Sequence, residues 1–351
     1  MLPIPVVEQI KADLPNWNGQ NAAVFEVSHR GKAFEALIQE AEQNLRSLLA
    51  VPDNYKVIFM QGGAWGQFAA VPMNLLPPGQ TADYVVTGGW SRSAAKEAGK
   101  FGQIKVIASS EATGFQHIPE VAEWQHSKQA AYTYVCSNET VYGTEMHFLH
   151  GQDDLLADKT LVADASSHFL SRPMPVSRYG LIYAGAQKNV GPAGVTMVIV
   201  REDLLERTPK NIASVFDYRN MAASGSLFNT PPTFAIYATA LTLKWIIAEG
   251  GLAEMERRAL TRSGKLYDVI DQSSLFHAPV AKADRSRMNV VFSTGDAERD
   301  TRFVAFCAQR GLMAVKGHKM LGGMRASVYN AMPMAGVDAL VAAIKDFERA
   351  Q

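Results

Sequence analysis

The sequence predicts an α/β fold in which a mostly parallel sheet lies between helices and is followed by a smaller C-terminal α+β domain. Two observations indicate this fold. Short, almost wholly apolar strands alternate with helical or loop stretches over the first two-thirds of the 351-residue chain, as in parallel sheets buried on both faces. After Pro231 and Pro232 the pattern changes to long helices with few strands. A chain of this length usually forms two domains, and we place them at 1–240 and 241–351, with the extreme N-terminal residues packing on the smaller one.

The larger predicted domain begins with an amphipathic helix and continues with seven strands. The helix covers residues 32–49 and carries apolar side chains on one face, including Phe34, Leu37 and Leu45. The predicted strands are 55–60, 83–87, 104–108, 131–136, 160–163, 181–184 and 195–200.

The smaller predicted domain is mainly helical. A long apolar helix runs from 234 to about 249 and is ended by Gly250 and Gly251. Another helix continues through 270, and a closing helix starts at 336. Between them we expect a strand at 288–292, a helix at 301–309, and strands at 312–315 and 325–329.

Composition excludes several classes of protein. The chain has 34 basic and 34 acidic side chains, so neither nucleic acid nor an anionic membrane is the expected partner. Two cysteines do not make a disulfide scaffold and fit a reducing compartment. No apolar stretch approaches the roughly 18 residues of a membrane span, and the first residues do not form a signal peptide. We therefore expect a cytoplasmic enzyme or ligand-binding protein.

Lys188 and Asp164 are the first candidate catalytic residues. Lys188 follows a strand, among small residues and before a glycine-rich turn. A lysine that loses hydration in such a pocket has a lowered pKa and can form a Schiff base with an aldehyde cofactor. Asp164 ends another apolar strand, where open α/β sheets bind ligands, and an aspartate there can pair with the pyridine nitrogen of pyridoxal phosphate (PLP). An exposed loop lysine and a helix-capping aspartate are the alternatives.

Two further features point to a flat, phosphorylated ligand. The turn at 62–67 is rich in glycine and lies between a strand and a helix, where free backbone N–H groups can hold a phosphate. Trp90 also follows a strand, and its indole can stack on a flat ring. A tight turn that requires glycine and a core tryptophan are the alternatives.

Along the chain the four features occur in the order glycine-rich turn, Trp90, Asp164 and Lys188. In this order and with the motifs below, the sequence resembles the phosphoserine aminotransferases, which are class-V, fold-type-I PLP-dependent transferases and work as homodimers. The resemblance extends from about residue 14 to about residue 347. The motifs that carry it are Val27-Ser28-His29-Arg30-Gly31, Cys136-Ser137-Asn138-Glu139-Thr140, Ala184-Gly185-Ala186-Gln187-Lys188-Asn189, Phe228-Asn229-Thr230-Pro231-Pro232 and Gly322-Gly323-Met324-Arg325-Ala326-Ser327.

The resemblance implies a role for each candidate residue. Lys188 would carry the cofactor, Asp164 would pair with its ring nitrogen, Trp90 would stack on the ring, and Thr140 would donate to its phenolic oxygen. The remaining implied cofactor residues, around the phosphate, are Ala64, Trp65 and Gln187 from one subunit and Asn229 and Thr230 from its neighbour. The implied substrate-binding residues are His29, Arg30, His318 and Lys319 at the substrate phosphate and Arg325 at its α-carboxylate.

The resemblance also implies the reaction. This is a ping-pong transamination between L-glutamate and 3-phosphohydroxypyruvate that gives 2-oxoglutarate and O-phospho-L-serine, in serine biosynthesis. The family also acts on 4-phosphooxy-L-threonine, on the route to vitamin B6. No metal is expected, because His147 and His150 have no evident third ligand.

Three departures from the family pattern are visible. The Ser/Ala-Gly-Pro turn that usually precedes the first helix is missing, so the start is truncated or another segment closes the site. Trp65 stands where many bacterial relatives have an arginine, and Lys319 stands where the loop commonly has Arg. Lysine keeps the charge but loses the planar fork, so we expect retained activity with altered affinity for the phosphorylated substrate.

Two alternative functions remain open at this point. One is a fold-type-I PLP aminotransferase of another specificity, such as an alanine–glyoxylate type, against which the His29-Arg30 and His318-Lys319 pairs argue. The other is a cofactor-binding or scaffold protein with impaired activity. A cysteine desulfurase is disfavoured, since we expect Cys136 and Cys307 to be packed thiols.

Overall fold

A computed structural model describes residues 1–147, 149, 153–209 and 211–350 of the chain. His150, one of the two histidines considered above, lies outside the described residues. No helix in the described part is both apolar enough and long enough to cross a membrane.

Helices and strands alternate along the first 200 residues, as the sequence pattern predicts. The strands are Tyr55–Met60 (β1), Thr81–Val86 (β2), Gln103–Ser109 (β3), Ala130–Cys136 (β4), Asn138–Glu139 (β5), Thr144–Glu145 (β6), Leu161–Asp164 (β7), Leu181–Gly185 (β8), Thr196–Arg201 (β9), Asn289–Phe292 (β10) and Met324–Ser327 (β11). The α-helices are Ile4–Asp13 (α1), Lys32–Leu49 (α2), Gly63–Leu75 (α3), Gly89–Ala98 (α4), Asp153–Leu156 (α5), Glu202–Leu205 (α6), Tyr218–Ala223 (α7), Thr233–Ala248 (α8), Gly251–Gln272 (α9), Ala297–Gln309 (α10) and Met334–Arg349 (α11).

Seven strands form the central sheet, in the order β1-β9-β8-β7-β4-β2-β3. The four neighbouring pairs from β8 through β3 are parallel, whereas β9 runs antiparallel to both β1 and β8. The mostly parallel seven-stranded sheet is therefore confirmed. Apart from the edge strand β3, its strands are buried along almost their whole length, which explains their continuous apolar sequences.

Apolar side chains cover both faces of this sheet. On one face Phe34 and Leu45 of α2 and Ile236 of α8 join a core cluster with the sheet. On the other face Phe68 of α3 and Ala94 of α4 belong to a second cluster. The sheet is thus the middle layer of three, the arrangement typical of α/β folds.

The C-terminal residues have a third core cluster of their own. It is built from α9, α10 and α11 around the two-stranded antiparallel sheet of β10 and β11, with Phe276, Phe292 and Phe303 at its centre. At the other end of the chain, Val6 and Ile10 of α1 pack in the first cluster beside α8. The boundary between 240 and 241 stays a prediction.

One predicted strand is wrong. Residues 312–315 do not form a strand, and the backbone pairs only through an isolated bridge between Lys316 and Met324. Ala314 adopts a left-handed backbone conformation, with φ of 59°. Because a strand requires negative φ throughout, this residue interrupts the extended run that the apolar sequence suggests.

Candidate active site

The candidate site lies where three neighbouring parallel strands end. Cys136 of β4 pairs in register with Asp164 of β7, and Asp164 pairs in register with Tyr183 of β8. The segments that follow β4 and β8 carry Thr140 and Lys188. Ligands of open α/β sheets bind at this carboxyl edge, so the topology brings Asp164, Thr140 and Lys188 into one region.

A tight turn after β8 presents Lys188. The N–H groups of Val190 and Gly191 both donate to the carbonyl of Ala186, at 3.1 and 3.0 Å. A Cβ added at Gly191 would lie 2.2 Å from Thr239 Oγ1 of α8, so only glycine lets the turn pack this closely on the helix. The Lys188 side chain remains only partly buried, as a reactive amine requires.

The Lys188 amine meets Thr140 and the Trp90 indole. Its Nζ donates a hydrogen bond of 2.6 Å to Thr140 Oγ1 and lies 5.6 Å from the centroid of the Trp90 ring. Thr140 is buried. The indole and the hydroxyl therefore hold the amine between them.

Trp90 lies at the start of α4 and is fixed by a buried carboxylate. Glu139 is 0% exposed, and its Oε2 accepts from the Trp90 N–H at 3.1 Å. Burial raises the pKa of Glu139, while the hydrogen bonds from Ser91 and Trp90 oppose this effect. The Trp90 Nε1 atom is buried and has no hydrogen-bond partner among the described residues.

Asp164 is held in place by the chain that follows it. Its Oδ1 accepts from the Ser166 N–H at 2.9 Å, and Ser166 Oγ accepts from the Gly185 N–H at 3.1 Å. The hydroxyls of Tyr134 and Tyr183 bond to each other at 2.7 Å. Burial, with a further contribution from the Asp164 charge, raises the pKa of both phenols. These tyrosines therefore stay neutral near Asp164.

The predicted phosphate turn contains two glycines in left-handed conformations. Gly62 has φ of 96° and Gly63 has φ of 62°, immediately before or at the start of α3. Ala64 and Trp65 follow in its first turn, where the N–H groups have no partner within the helix. The Trp65 side chain is 56% exposed and contacts Phe68 edge to face, with ring centroids 5.2 Å apart. The turn thus has the geometry of an anion site.

The segment containing Asn229 and Thr230 lies against this turn. Gln61 Nε2 donates to the Thr230 carbonyl at 2.8 Å. Asn229 lines a cavity of about 310 Å³ together with Gln61 and Gly62. Gln187 is exposed, and its side chain reaches over Gly185, where an added Cβ would lie 2.7 Å from Gln187 Oε1.

The candidate substrate residues lie in two parts of the chain. Arg30 Nε donates to its neighbour His29 at 3.4 Å, in a largely exposed turn before α2. Arg325 is on β11, and its Nε is buried without a hydrogen-bond partner among the described residues. His318 and Lys319 lie in the loop before β11, where His318 Nδ1 accepts from the backbone N–H two residues later.

The loop of His318 and Lys319 reaches the start of α4. The Met320 Cε atom would lie 3.4 Å from a Cβ added at Gly89, and the Tyr142 ring lies beside them. Gly89 immediately precedes Trp90, so this loop borders the position of the indole. The structure thus connects the Lys319 loop to the Lys188 region, whereas it shows no contact from His29 or Arg30 to Lys188 among the described residues.

These residues fit PLP. An amine over the face of an indole is bonded to a neutral hydroxyl, a buried carboxylate ends the adjacent strand, and a glycine turn offers free N–H groups. Such a set suits an aldehyde on a flat, nitrogen-containing ring with a phosphate group. Cys136 lies nearby, but burial raises its pKa well above the ordinary value. It is therefore no thiolate nucleophile.

Sequence reasoning missed two residues at this site. Glu139 stands next to Thr140 in a motif quoted above, yet nothing in the sequence connects it to Trp90, 49 positions away. Nothing in the sequence indicates that the exposed Met320 side chain borders the site, because its spatial neighbour Gly89 is distant in the chain.

Known proteins resemble the chain over its whole length. The class-V aminotransferase family model matches residues 1–340. The phosphoserine aminotransferase of Nitrosomonas europaea is 48% identical, covering 99% of this chain and 96% of the relative. That of Acidithiobacillus ferrooxidans is 49% identical over the same shares.

Solved structures of phosphoserine aminotransferases also resemble this chain over nearly its whole length. The phosphoserine aminotransferase of Bacillus circulans subsp. alkalophilus matches with a TM-score of 0.96 and 42% identity, covering 100% of this chain and 96% of that one. A PLP-bound phosphoserine aminotransferase from Trichomonas vaginalis matches with a TM-score of 0.92 and 38% identity, covering 98% and 97%. The chain therefore belongs to the class-V aminotransferases, in the phosphoserine aminotransferase family.

Proposed function

We propose that this protein is a PLP-dependent phosphoserine aminotransferase that exchanges an amino group between L-glutamate and 3-phosphohydroxypyruvate. The observation that carries the proposal is the position of Lys188 Nζ, 2.6 Å from Thr140 Oγ1 and 5.6 Å from the Trp90 ring centroid. The names of its relatives, at 48–49% identity over 99% of the chain, support the substrate class. The product is O-phospho-L-serine, which places the reaction in serine biosynthesis.

In this proposal each element of the site holds one part of the cofactor. Lys188 would hold the aldehyde group, and Asp164 would pair with the ring nitrogen. Thr140 Oγ1 accepts from Lys188 and still has its own proton, so it can donate to the ring oxygen. Trp90 would cover one face of the ring. The proposed phosphate ligands are Ala64, Trp65, Gln187, Asn229 and Thr230.

The substrate would be held by its two anionic ends. Arg325 binds the α-carboxylate, since a guanidinium can bind a carboxylate bidentately. Its buried Nε without a partner supports this role. His29, Arg30, His318 and Lys319 form the site for the phosphate or for the γ-carboxylate of glutamate.

Bound PLP would supply an electron-withdrawing ring that stabilises negative charge on the substrate α-carbon. The Lys188 amine would act as general base and take the proton from that carbon. Thr140 and Trp90 keep the amine close to where the proton leaves. Asp164, buried at the end of β7, keeps the ring nitrogen protonated because its negative charge favours the charged partner.

We also propose a homodimer in which Asn229 and Thr230 serve the neighbouring subunit's site. Both residues are exposed within one chain, which leaves them available to a second copy. A cytoplasmic location stays a prediction, supported by two cysteines that are free thiols in the structure.

A substrate comparison tests the proposed specificity. Purified protein loaded with PLP is given 2-oxoglutarate with O-phospho-L-serine, and in parallel glyoxylate with L-alanine. We expect rapid formation of glutamate from the first pair and little turnover of the second. A preference for alanine and glyoxylate would instead assign the chain to an aminotransferase of another specificity, and turnover of neither pair would support the scaffold alternative.

A further inference from the structure

We propose that Glu139 is a positioning residue for the cofactor, because its buried carboxylate fixes the first turn of α4 and thereby holds Trp90 over Lys188. This inference rests on the proposed function, since it concerns how the chain orders its PLP site. It extends that proposal to a residue that would not itself touch the cofactor.

The first observation is the number of bonds that end at Glu139. Oε1 accepts from the Ser91 N–H at 2.7 Å and from Ser91 Oγ at 2.6 Å, and Oε2 accepts from the Trp90 N–H at 3.1 Å. Both N–H groups belong to the first turn of a helix and have no partner inside it. A carboxylate is suited to this position because it also meets the positive end of the helix dipole.

The second observation is that Ser91 completes the same network. Its Oγ accepts from the N–H groups of Thr87 and Gly88, at 2.9 and 3.1 Å. Two side chains, those of Ser91 and Glu139, thus accept from the four backbone N–H groups of Thr87, Gly88, Trp90 and Ser91. Of these two acceptors, Glu139 is the one that comes from a distant part of the chain. Removing its charge would loosen the whole turn.

The third observation is the fit around the carboxylate. A Cβ added at Gly88 would lie 2.4 Å from Glu139 Cδ and 2.6 Å from its Oε2. Real Cβ atoms do not approach other atoms so closely, so glycine is needed for the carboxylate to reach the helix. Glu139 is 0% exposed, and water cannot replace it there without rearrangement.

The fourth observation connects Glu139 to the reactive amine. Its neighbour in the chain, Thr140, accepts the hydrogen bond from Lys188 Nζ. One short segment after β4 therefore fixes the indole on one side and the amine on the other. A shift of this segment would therefore change the positions of both the Trp90 ring and the Thr140 hydroxyl.

A Glu139→Gln substitution tests the inference with little change of shape. An amide has one acceptor oxygen, so its NH₂ group must face an N–H of Trp90 or of Ser91. A buried donor without an acceptor is unfavourable, and we expect PLP to bind about tenfold or more weakly as a result. We also expect the circular dichroism of bound PLP to weaken, since its asymmetry depends on the ordered indole.

Two variants separate positioning from general stability. Gly88→Ala leaves Glu139 chemically intact but displaces it, and should give the same loss of PLP affinity and dichroism. Glu145→Gln is the matched control, because Glu145 is also a fully buried carboxylate near this segment but bonds to Arg172 and the Arg287 N–H instead of α4. It should lower thermal stability and leave the PLP dichroism unchanged.

The outcomes distinguish this inference from the proposed function. Wild-type protein that binds PLP, beside Glu139→Gln protein with wild-type affinity and dichroism, would overturn the inference alone. Equal loss of both signals in Glu145→Gln would also overturn it, because a general loss of stability would then suffice. Wild-type protein that binds no PLP would overturn the proposed function and this inference together.

Discussion

Lys188 Nζ donates a 2.6 Å hydrogen bond to Thr140 Oγ1, and this bond joins the segments that follow two strands separated in the sheet by β7. The middle strand, β7, ends in the buried Asp164. The amine, the hydroxyl and the carboxylate thus lie at or just after the ends of three neighbouring parallel strands of the sheet. Such strands are rigid supports for a site, so the positions of these groups follow directly from the topology.

Replacing Lys188 by Ala should abolish turnover while leaving the fold intact. The side chain is partly buried and donates a hydrogen bond to Thr140, so its loss removes the reactive amine at little cost in stability. Activity with O-phospho-L-serine and thermal unfolding are the measurements. Lys105→Ala is the control, since Lys105 on β3 donates to the carbonyl of Gln125 at the surface. Near-normal activity of Lys188→Ala would refute the assignment of the lysine.

Replacing Lys319 by Arg should strengthen binding of the phosphorylated substrate. A guanidinium can bind phosphate through two parallel hydrogen bonds, whereas an ammonium cannot. We expect the KM for O-phospho-L-serine to fall a few-fold, with kcat little changed. Lys316→Arg, in the same loop and also exposed, controls for added surface arginine. An unchanged or raised KM in the Lys319→Arg protein would count against this role.

We expect the stabilising contribution of Glu145 to be lost at acid pH. Burial acts to raise the pKa of its carboxyl, but the charges of His168, His147 and Arg172, with the Arg287 N–H, lower it overall. A carboxyl whose pKa is depressed by folding stabilises the native state above its unfolded pKa, and this contribution is lost as the pH falls through the folded value. The relevant window therefore starts near the ordinary glutamate pKa of about 4.3 and extends below it.

Urea denaturation from pH 7 to pH 3 measures this effect. The free energy of unfolding of the wild type should fall more steeply below about pH 5 than that of Glu145→Gln. Parallel curves for the two proteins would show that Glu145 titrates alike in the folded and unfolded chains.

Arg262 should be a major source of stability in the C-terminal part of the chain. It is 1% exposed, and its Nη1 donates to the carbonyls of Tyr329, Asn330 and Met332 at 2.7–2.9 Å. Burial lowers its pKa to about 10, so it stays charged at neutral pH. Arg262→Met leaves these carbonyls without a donor and should cost about 3 kcal/mol or more of unfolding free energy.

Arg257→Met is the matched control on the same helix. Arg257 is exposed and pairs with Glu254 at the surface, and such solvent-screened pairs contribute little to stability. Urea denaturation of both variants at pH 7 makes the comparison. Equal stability of the two variants would show that the buried hydrogen bonds of Arg262 contribute nothing measurable.

The sequence predicted the strands of the central sheet because each is a short apolar run between breaks. The strand ends agree with the structure to within two residues, and β1 agrees at both ends. The predicted strand at 312–315 failed, since the left-handed backbone of Ala314 depends on the surrounding loop and leaves no signature in an alanine. Local patterns therefore predict elements well where the backbone conformation is regular.

Candidate site residues were predictable where they follow a strand or occur in a long motif. Lys188, Asp164 and Trp90 all lie at or just after the end of a strand, and strand ends can be predicted from local sequence. Glu139 and Met320 could not be assigned in this way, because their partners are distant in the sequence. Contacts of that kind exist only once the sheet order has brought α4 beside the segment after β4.

An absorbance spectrum of the purified protein, before and after addition of O-phospho-L-serine, tests the central claim most directly. We predict a near-visible band from PLP bound to Lys188, which should disappear as the amino group is transferred to the cofactor. A band that ignores O-phospho-L-serine but responds to another amino acid would contradict the assigned substrate. No band, even after incubation with PLP, would contradict the assignment of the site itself.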